Sequence, residues 1–332
     1  MNESLARMLC ELNTKFYCDQ APSFSDTRHA AWPGWIQCLN VVESSLRSQD
    51  ESVVLDVACG NLRFEEFLAK QLPGHALRVH ALDSCDELVP DICAGVSVEK
   101  KGVAQGAKTL EGVAQDCETL HDIKQNRKSQ SSITQDNPEQ VYPASITTKY
   151  THCDILDDLY KTSALLGLDA LGRADFSVSF GFMHHIPLMQ WRVQVLQEIV
   201  NATKPGGYVA VSFWRFMDDE GLANKAHETH HQALSHLGLS ADDFEEGDYL
   251  LGWRNTPGAY RYCHSFTEAD IDYLVDLIAD NSISAQRALK AGASMVGGLT
   301  NNRPAQVVAR FRADGRTGNL NEYLIFQVCE QG

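Results

Sequence analysis

VVLDVACGNLRFEEFLAK, Val53 to Lys70, is the stretch whose reading decides the fold. It opens with an apolar run of strand length, turns sharply at Ala58-Cys59-Gly60 and then takes up helical spacing, with Phe64, Phe67 and Leu68 on one side. A second run, ALRVHALDSCDELV from Ala76, ends its apolar part at Asp83. An acid at that strand terminus stands where doubly wound α/β sheets meet the ribose of a nucleotide. Small residues in the first turn let the backbone approach a ligand, and the acid takes two ribose hydroxyls.

The dinucleotide pattern GxGxxG is not matched, because Ala58 stands at the first glycine and Gly60 at the second, and Phe64 lies beyond the expected third. Asp56 is the less ordinary residue. A buried acid at the carboxyl end of a strand needs a partner, and a cationic ligand supplies one. Asp-x-Ala-x-Gly followed by a ribose acid therefore fits S-adenosylmethionine better than NAD.

Working outward, the 332-residue chain is long enough for one large or two ordinary domains, and 44% hydrophobic content supports a sizeable core. No apolar run reaches membrane-span length, and MNESLARMLCELN lacks the regions of a signal peptide, so no membrane association and a cytoplasmic location are expected. The ten cysteines contain no CxxC pair and read as reduced, mostly buried residues, with no metal site expected. Net charge is −16, from 28 Lys and Arg against 44 Asp and Glu, so any face that holds nucleic acid must be local or supplied by a partner.

Leu5, Met8, Leu9, Leu12 and Phe16 have the spacing of an amphipathic helix, followed by a loop from Pro22 to Trp35 and a second helical run from Ile36 to Leu46. Residues 1–50 thus read as a helical cap carrying a substrate and cofactor loop, and 51–332 as the main domain. Within it, 92–146 reads as an insertion whose KGVAQGAKTL (Lys101 to Leu110) is repeated as EGVAQDCETL (Glu111 to Leu120), identical at six of ten positions. The sheet resumes with ITTKYTHCDILDD, then ADFSVSFGFMHHIP, then a helix stopped by Lys204-Pro205-Gly206-Gly207, then YVAVSFW. Strands alternating with helices predict a mostly parallel sheet covered on both faces, closed by a terminal antiparallel hairpin to seven strands. Asp56, Asp83, Asp154, His184, His185 and Trp214 all fall at its carboxyl edge, and 215–265 reads as a lid.

In that order the pieces resemble the Rossmann-like S-adenosylmethionine-dependent methyltransferases: DVACGN is similar to their first motif, LDSCDEL to the ribose motif, CDIL to the adenine contact and KPGGYVAVSFW to the strand after the catalytic one. Leu62 departs from the glycine common there. The resemblance implies cofactor contacts by Asp56, Ala58, Cys59, Gly60, Asp83, Asp154, Ile155, Phe180, Gly181 and Met183. FSDTRHAAWP, FGFMHHIP, GDYLLGW, RYCHSF and GNLNEYLIF further resemble the tRNA wobble-uridine carboxymethyl methyltransferases. That likeness implies the anticodon loop of tRNA as a partner, and in eukaryotes a small activating protein. The long insertion and an extra segment around Asn281 to Asn302 lie outside its pattern.

The implied reaction is methyl transfer to the carboxylate of a 5-carboxymethyl uridine. A carboxylate is already ionised near neutral pH, so alignment in a dry pocket matters more than a base. Arg28, His185, Arg261 and His264 are the expected catalytic groups, with Trp32, His184, Trp214, Trp253 and Tyr262 around the substrate. Two other readings stand beside it: a methyltransferase of a small carboxylic acid or natural product, which the acidic surface suits, and a cofactor-binding scaffold without activity. His227-Glu228-Thr229-His230-His231 matches the zinc-peptidase pattern HExxH but has no identifiable third ligand, and reads as a surface helix.

Overall fold

Strands β1 (Glu51–Val57) and β2 (Ala76–Asp83) lie side by side in parallel, in register from Glu51 opposite Ala76 to Val57 opposite Leu82. In this computed structural model, which describes residues 1–90, 96–101, 146–162, 173–279 and 303–330, they form the middle of a larger sheet. The chain adds β3 (Val96–Lys101), β4 (Ile146–His152), β5 (Ala174–Ser179) and β6 (Thr203–Trp214) to it. It then makes a separate two-stranded ribbon from β7 (Asp248–Gly252) and β8 (Tyr260–His264), and returns with β9 (Ala305–Ala313) and β10 (Asn321–Val328). The large sheet runs β3-β4-β2-β1-β5-β6-β10-β9, with every pair parallel except the two made by β10.

The mixed α/β, Rossmann-like architecture is the one the sequence predicts, with eight strands rather than seven. The additional edge strand is β3, which comes from the stretch read as an insertion. Val96 and Val98 alternate with polar residues and pack beside Leu62, Ala81 and Tyr150, the pattern of a strand with one half-buried face. The duplicated decapeptides, apart from Lys101, and the extra segment around Asn281 to Asn302 lie outside the described residues.

Helices α2 (Pro33–Arg47) and α3 (Arg63–Gln71) cover one face of the sheet through Trp35, Cys38, Val42, Phe64, Phe67 and Leu68. Helices α4 (Ile155–Thr162), α5 (Met189–Asn201) and α7 (Glu268–Ala279) cover the other through Ile155, Leu159, Leu196, Ile199, Leu274 and Ile278. Each such side chain contributes on the order of 1.5–3 kcal/mol when fully buried. The strand order reverses between β1 and β5, and the crevice outside their carboxyl ends is where such sheets hold ligands.

Helix α1 (Glu3–Ser25) and the β7–β8 ribbon close over that crevice, and α6 (Glu220–Leu237) backs the ribbon with Ala226 and Ala233. Two expectations for α1 are corrected. The helix continues past Pro22 to Ser25, where a loop was expected, and Met8 faces solvent while Asn13 is buried. Asn13 replaces what the amphipathic pattern would fill with an apolar residue, and its amide pairs with the backbone of β8. It donates to the Tyr262 carbonyl at 3.1 Å and accepts from the Tyr262 N–H at 2.7 Å.

Candidate active site

The turn after β1 is built on three left-handed residues, Ala58 (φ 63°), Gly60 (φ 57°) and Leu62 (φ 57°). For alanine and leucine this backbone costs roughly 1–2 kcal/mol per residue, so the loop keeps a glycine-type course without the glycines. The Gly60 N–H donates to Asp83 Oδ2 at 2.8 Å, and the Cys85 N–H donates to Asp83 Oδ1 at 2.9 Å. Asp83 is thereby held across the end of β1, with lone pairs left on both oxygens for two hydroxyl donors. A Cβ built on Gly60 meets nothing within 4 Å, so this backbone faces open space.

That space belongs to a cavity of about 610 Å³. Of the residues expected from the sequence to hold a cofactor, Asp56, Ala58, Cys59, Gly60 and Asp83 line it at one side, and Asp154, Ile155, Phe180 and Gly181 continue the wall. Met183 does not; it is fully buried in the core beneath α5. Gly181 (φ 78°) is a position where a side chain would press on Trp32, whose ring carbon lies 3.1 Å from a Cβ built there.

Of the expected substrate and catalytic residues, Arg28, Trp32, His184, His185, Trp214 and Arg261 also line the cavity. Trp253, Tyr262 and His264 do not, and their contacts explain why. The Trp253 indole N–H donates to Ser23 Oγ at 2.9 Å, and its ring lies behind Arg261 and Arg28, 5.3 and 5.6 Å from their guanidinium carbons. The Tyr262 hydroxyl donates to Asp248 at 2.6 Å, and His264 Nδ1 lies 2.8 Å from the same carboxylate, both on the buried side of the ribbon. His264 and Tyr262 therefore hold the ribbon's interior instead of facing the cavity.

His185 is on the wall, but both of its ring nitrogens are engaged. Nδ1 lies 3.0 Å from the Tyr262 carbonyl, which assigns it the proton, and Nε2 then accepts from the Tyr17 hydroxyl at 2.7 Å. Burial, with Arg261 nearby, pushes its pKa down to about 3, so the ring is neutral. His184 packs against Trp214 at 5.1 Å, leaves Nδ1 without a hydrogen-bond partner among the described residues, and is also held neutral by burial and by His185. Burial pushes the Tyr17 phenol up to about 12.

The two ends of the cavity differ in charge. On the loop side, Asp56 is 3% exposed and its carboxyl is held well above the usual range by burial and by Glu65; Glu65, in the first turn of α3, is raised by burial to about 7. Burial raises Asp83 and Asp154 as well. On the α1 side, Arg261 is 6% exposed, with Nε and Nη1 unpartnered, over the Phe16 ring at 5.0 Å. The Arg28 guanidinium carbon sits 3.5 Å from the Phe24 ring centre, and burial lowers its pKa to about 10. Neither arginine forms an ion pair among the described residues.

Sequence reading missed Asn13, Tyr17 and Glu65. Asn13 could have been found as a polar residue one turn after Leu9 on a buried stripe; Tyr17 and Glu65 carry no local signal of their partners. The HExxH stretch lies on α6, where His230 Nδ1 accepts from the Leu250 N–H at 3.0 Å. Among the described residues, the side chains close enough to share a metal ion are His184, His185 and Cys263, and Cys18, Cys85 and Glu87.

No family model matches the chain, and no curated protein does. Among solved structures it is similar to an S-adenosylmethionine-dependent methyltransferase from Methanosarcina mazei, at 14% identity over 88% of this chain and 98% of that one, with a TM-score of 0.44. It is also similar to the 1,6-didemethyltoxoflavin-N1-methyltransferase of Burkholderia thailandensis, at 13% identity over 96% and 87% with a TM-score of 0.42. The N-methyltransferase NodS of Bradyrhizobium japonicum aligns at 12% identity over 89% and 86%, with a TM-score of 0.38.

Proposed function

We propose that the chain is an S-adenosylmethionine-dependent methyltransferase acting on a carboxylate. The observation that carries the reading is the pair Arg28 and Arg261, two guanidiniums on the wall of one cavity with no carboxylate paired to them among the described residues. A buried unpaired cation costs several kcal/mol, and an anionic acceptor offsets that cost when it binds.

The residues on the opposite wall suit the cofactor. Asp83 offers acceptor positions for two ribose hydroxyls, the Gly60 backbone faces open space, and the Asp56 carboxyl supplies a negative neighbour for a cationic group. S-adenosylmethionine, when bound, supplies an electrophilic methyl group. The chain's own residues then have three tasks. Arg28 and Arg261 hold and orient the acceptor carboxylate. Trp32, Phe180 and Trp214 exclude water from the cavity they line. Tyr17, fixed by His185, presents its oxygen as a hydrogen-bond acceptor toward the substrate side.

The chemistry needs nothing more. His184 and His185 are weak bases here and Tyr17 keeps its proton, so an acceptor that must lose a proton finds no suitable base among these groups. A carboxylate brings its own charge and lone pairs.

The finer reading of the acceptor is 5-carboxymethyl uridine at the wobble position of tRNA, with a small activating protein as a partner. It is supported by the Arg28 and Arg261 stretches FSDTRHAAWP and RYCHSF, both of which deliver cavity residues, and by exposed Arg254 over the Trp253 ring at 5.7 Å. The net charge of −16 favours a small carboxylic acid as the second reading. Mass spectrometry of tRNA nucleosides from a strain lacking the gene separates them. Loss of the methyl-ester wobble nucleoside is expected, and unchanged levels would transfer the proposal to the small acid. In the same scheme, 1–50 serves as the cap, 92–146 as an insertion that also donates β3, and 215–265 as the lid.

A further inference from the structure

Glu65 has no accessible surface, and no N–H or O–H reaches either of its carboxyl oxygens among the described residues. Its acidic neighbour is Asp56, which is 3% exposed and lines the cavity, so two carboxyls are buried close together. Two carboxyls buried side by side do not both ionise cheaply, so one of them keeps its proton. The other charged groups facing the pair are negative as well: Asp83 toward Asp56, and Glu66 toward Glu65. The adjacent cation is turned away, because Arg63 donates to Asn61 Oδ1 at 3.0 Å and to the Ala30 carbonyl at 2.9 Å and lies 5.4 Å from the Trp35 ring centre.

An acid pair buried with no cation is costly unless a ligand brings one. We infer that Glu65 makes the site selective for the charge of its cofactor: the Asp56–Glu65 pair holds one proton, releases it to solvent through the cavity when a cationic sulfonium ligand binds, and takes it back when the ligand is the neutral thioether. The inference rests on the methyltransferase reading above. It gives the reaction a direction, since the thioether left after methyl transfer meets a pair that has recovered its proton and carries one negative charge fewer. The raised pKa of Glu65, about 7, puts the exchange at neutral pH, where either direction is measurable.

The test is titration calorimetry of the full chain at pH 7 with S-adenosylmethionine and with S-adenosylhomocysteine, each in phosphate and in Tris, whose ionisation enthalpies differ. The buffer dependence of the heat counts protons. Release of roughly half to one proton is expected with the sulfonium ligand, and clearly less with the thioether. In Glu65→Gln that difference should vanish, and the preference for the sulfonium ligand should narrow about tenfold. Equal proton counts for the two ligands on the unaltered protein would overturn the inference by themselves, whatever the variant does. Failure of the sulfonium ligand to bind at all would instead remove the methyltransferase reading, and this inference with it.

Discussion

At the loop end of the cavity, Asp56, Glu65, Asp83 and Asp154 are buried or half-buried with no Lys or Arg paired to them among the described residues; at the α1 end, Arg28 and Arg261 lie among aromatic rings with no acid paired to them. Elsewhere the same protein pairs its buried charges with care. Arg192, Asp248 and Tyr262 form one closed network, and Lys204 is held 2.7 Å from Asp175. The contrast teaches that, among the described residues, uncompensated charge gathers at this cavity, with most of its acids at the loop end and Arg28 and Arg261 at the α1 end. Several kcal/mol are forgone to keep it so, which is sensible when a ligand with a cationic part and an acceptor with an anionic part meet between the two ends.

The largest expected effect breaks the acidic end. Asp83→Ala removes the acceptor proposed for the ribose hydroxyls and frees the Gly60 and Cys85 N–H groups, and should weaken binding of S-adenosylmethionine by about 100-fold or more, read by calorimetry. Unchanged affinity would mean that this end does not hold the nucleoside. Next in size is Arg261→Met at the basic end. It should lower kcat/KM for the acceptor on the order of 100-fold while leaving cofactor affinity within about twofold and the melting temperature no lower, since the change deletes an unpaired buried charge. A drop in melting temperature of several degrees would make Arg261 a structural prop.

Smaller effects sharpen the contrast through pH. With His184 and His185 neutral, Tyr17 protonated and Arg28 charged up to about 10, kcat at saturating substrates should be flat from about pH 6 to 9, whereas cofactor affinity should rise with pH through about 7 as the acid pair ionises. Stability has the opposite sign. The Glu65 pKa is raised from 4.5 to about 7 on folding, so between those values the folded protein keeps a proton that the unfolded chain has lost. Stability is then fullest below the unfolded value and falls as pH rises through the folded one, by an amount on the order of 1–3 kcal/mol that Glu65→Gln should recover in thermal melts at pH 8. The smallest effect on turnover belongs to His264→Gln, which should leave kcat within about twofold while destabilising the ribbon around Asp248.

Much of the acidic end was legible in the sequence because its information is local. A strand, a tight turn and a helix in succession place Asp56 and Gly60, and the acids that close the following strands place Asp83 and Asp154. The basic end was legible only in part. Arg28 and Arg261 were found through short stretches, but Tyr262 and His264, on the same strand as Arg261, turn away from the cavity, since neighbours on a strand point to opposite faces, and Trp253 lies behind the two arginines. Tyr17 and Asn13 reach partners more than 160 and 240 residues away in sequence, and no periodicity encodes that pairing. Glu65 was hidden differently. An acid in the first turn of a helix reads as ordinary helix chemistry, and only the packed structure shows that it is buried near Asp56 with no cation paired to it among the described residues.

The central claim, that the basic end receives a carboxylate, is tested most directly by the chemical lability of the product. The protein is incubated with S-adenosylmethionine carrying a labelled methyl group, together with tRNA or with an extract of small acids, and the labelled product is treated with mild alkali. A carboxylate methyl ester releases its label as volatile methanol, and that is the expected result; label that stays with the product after alkali would be on nitrogen, carbon or an ether oxygen, and would contradict the account.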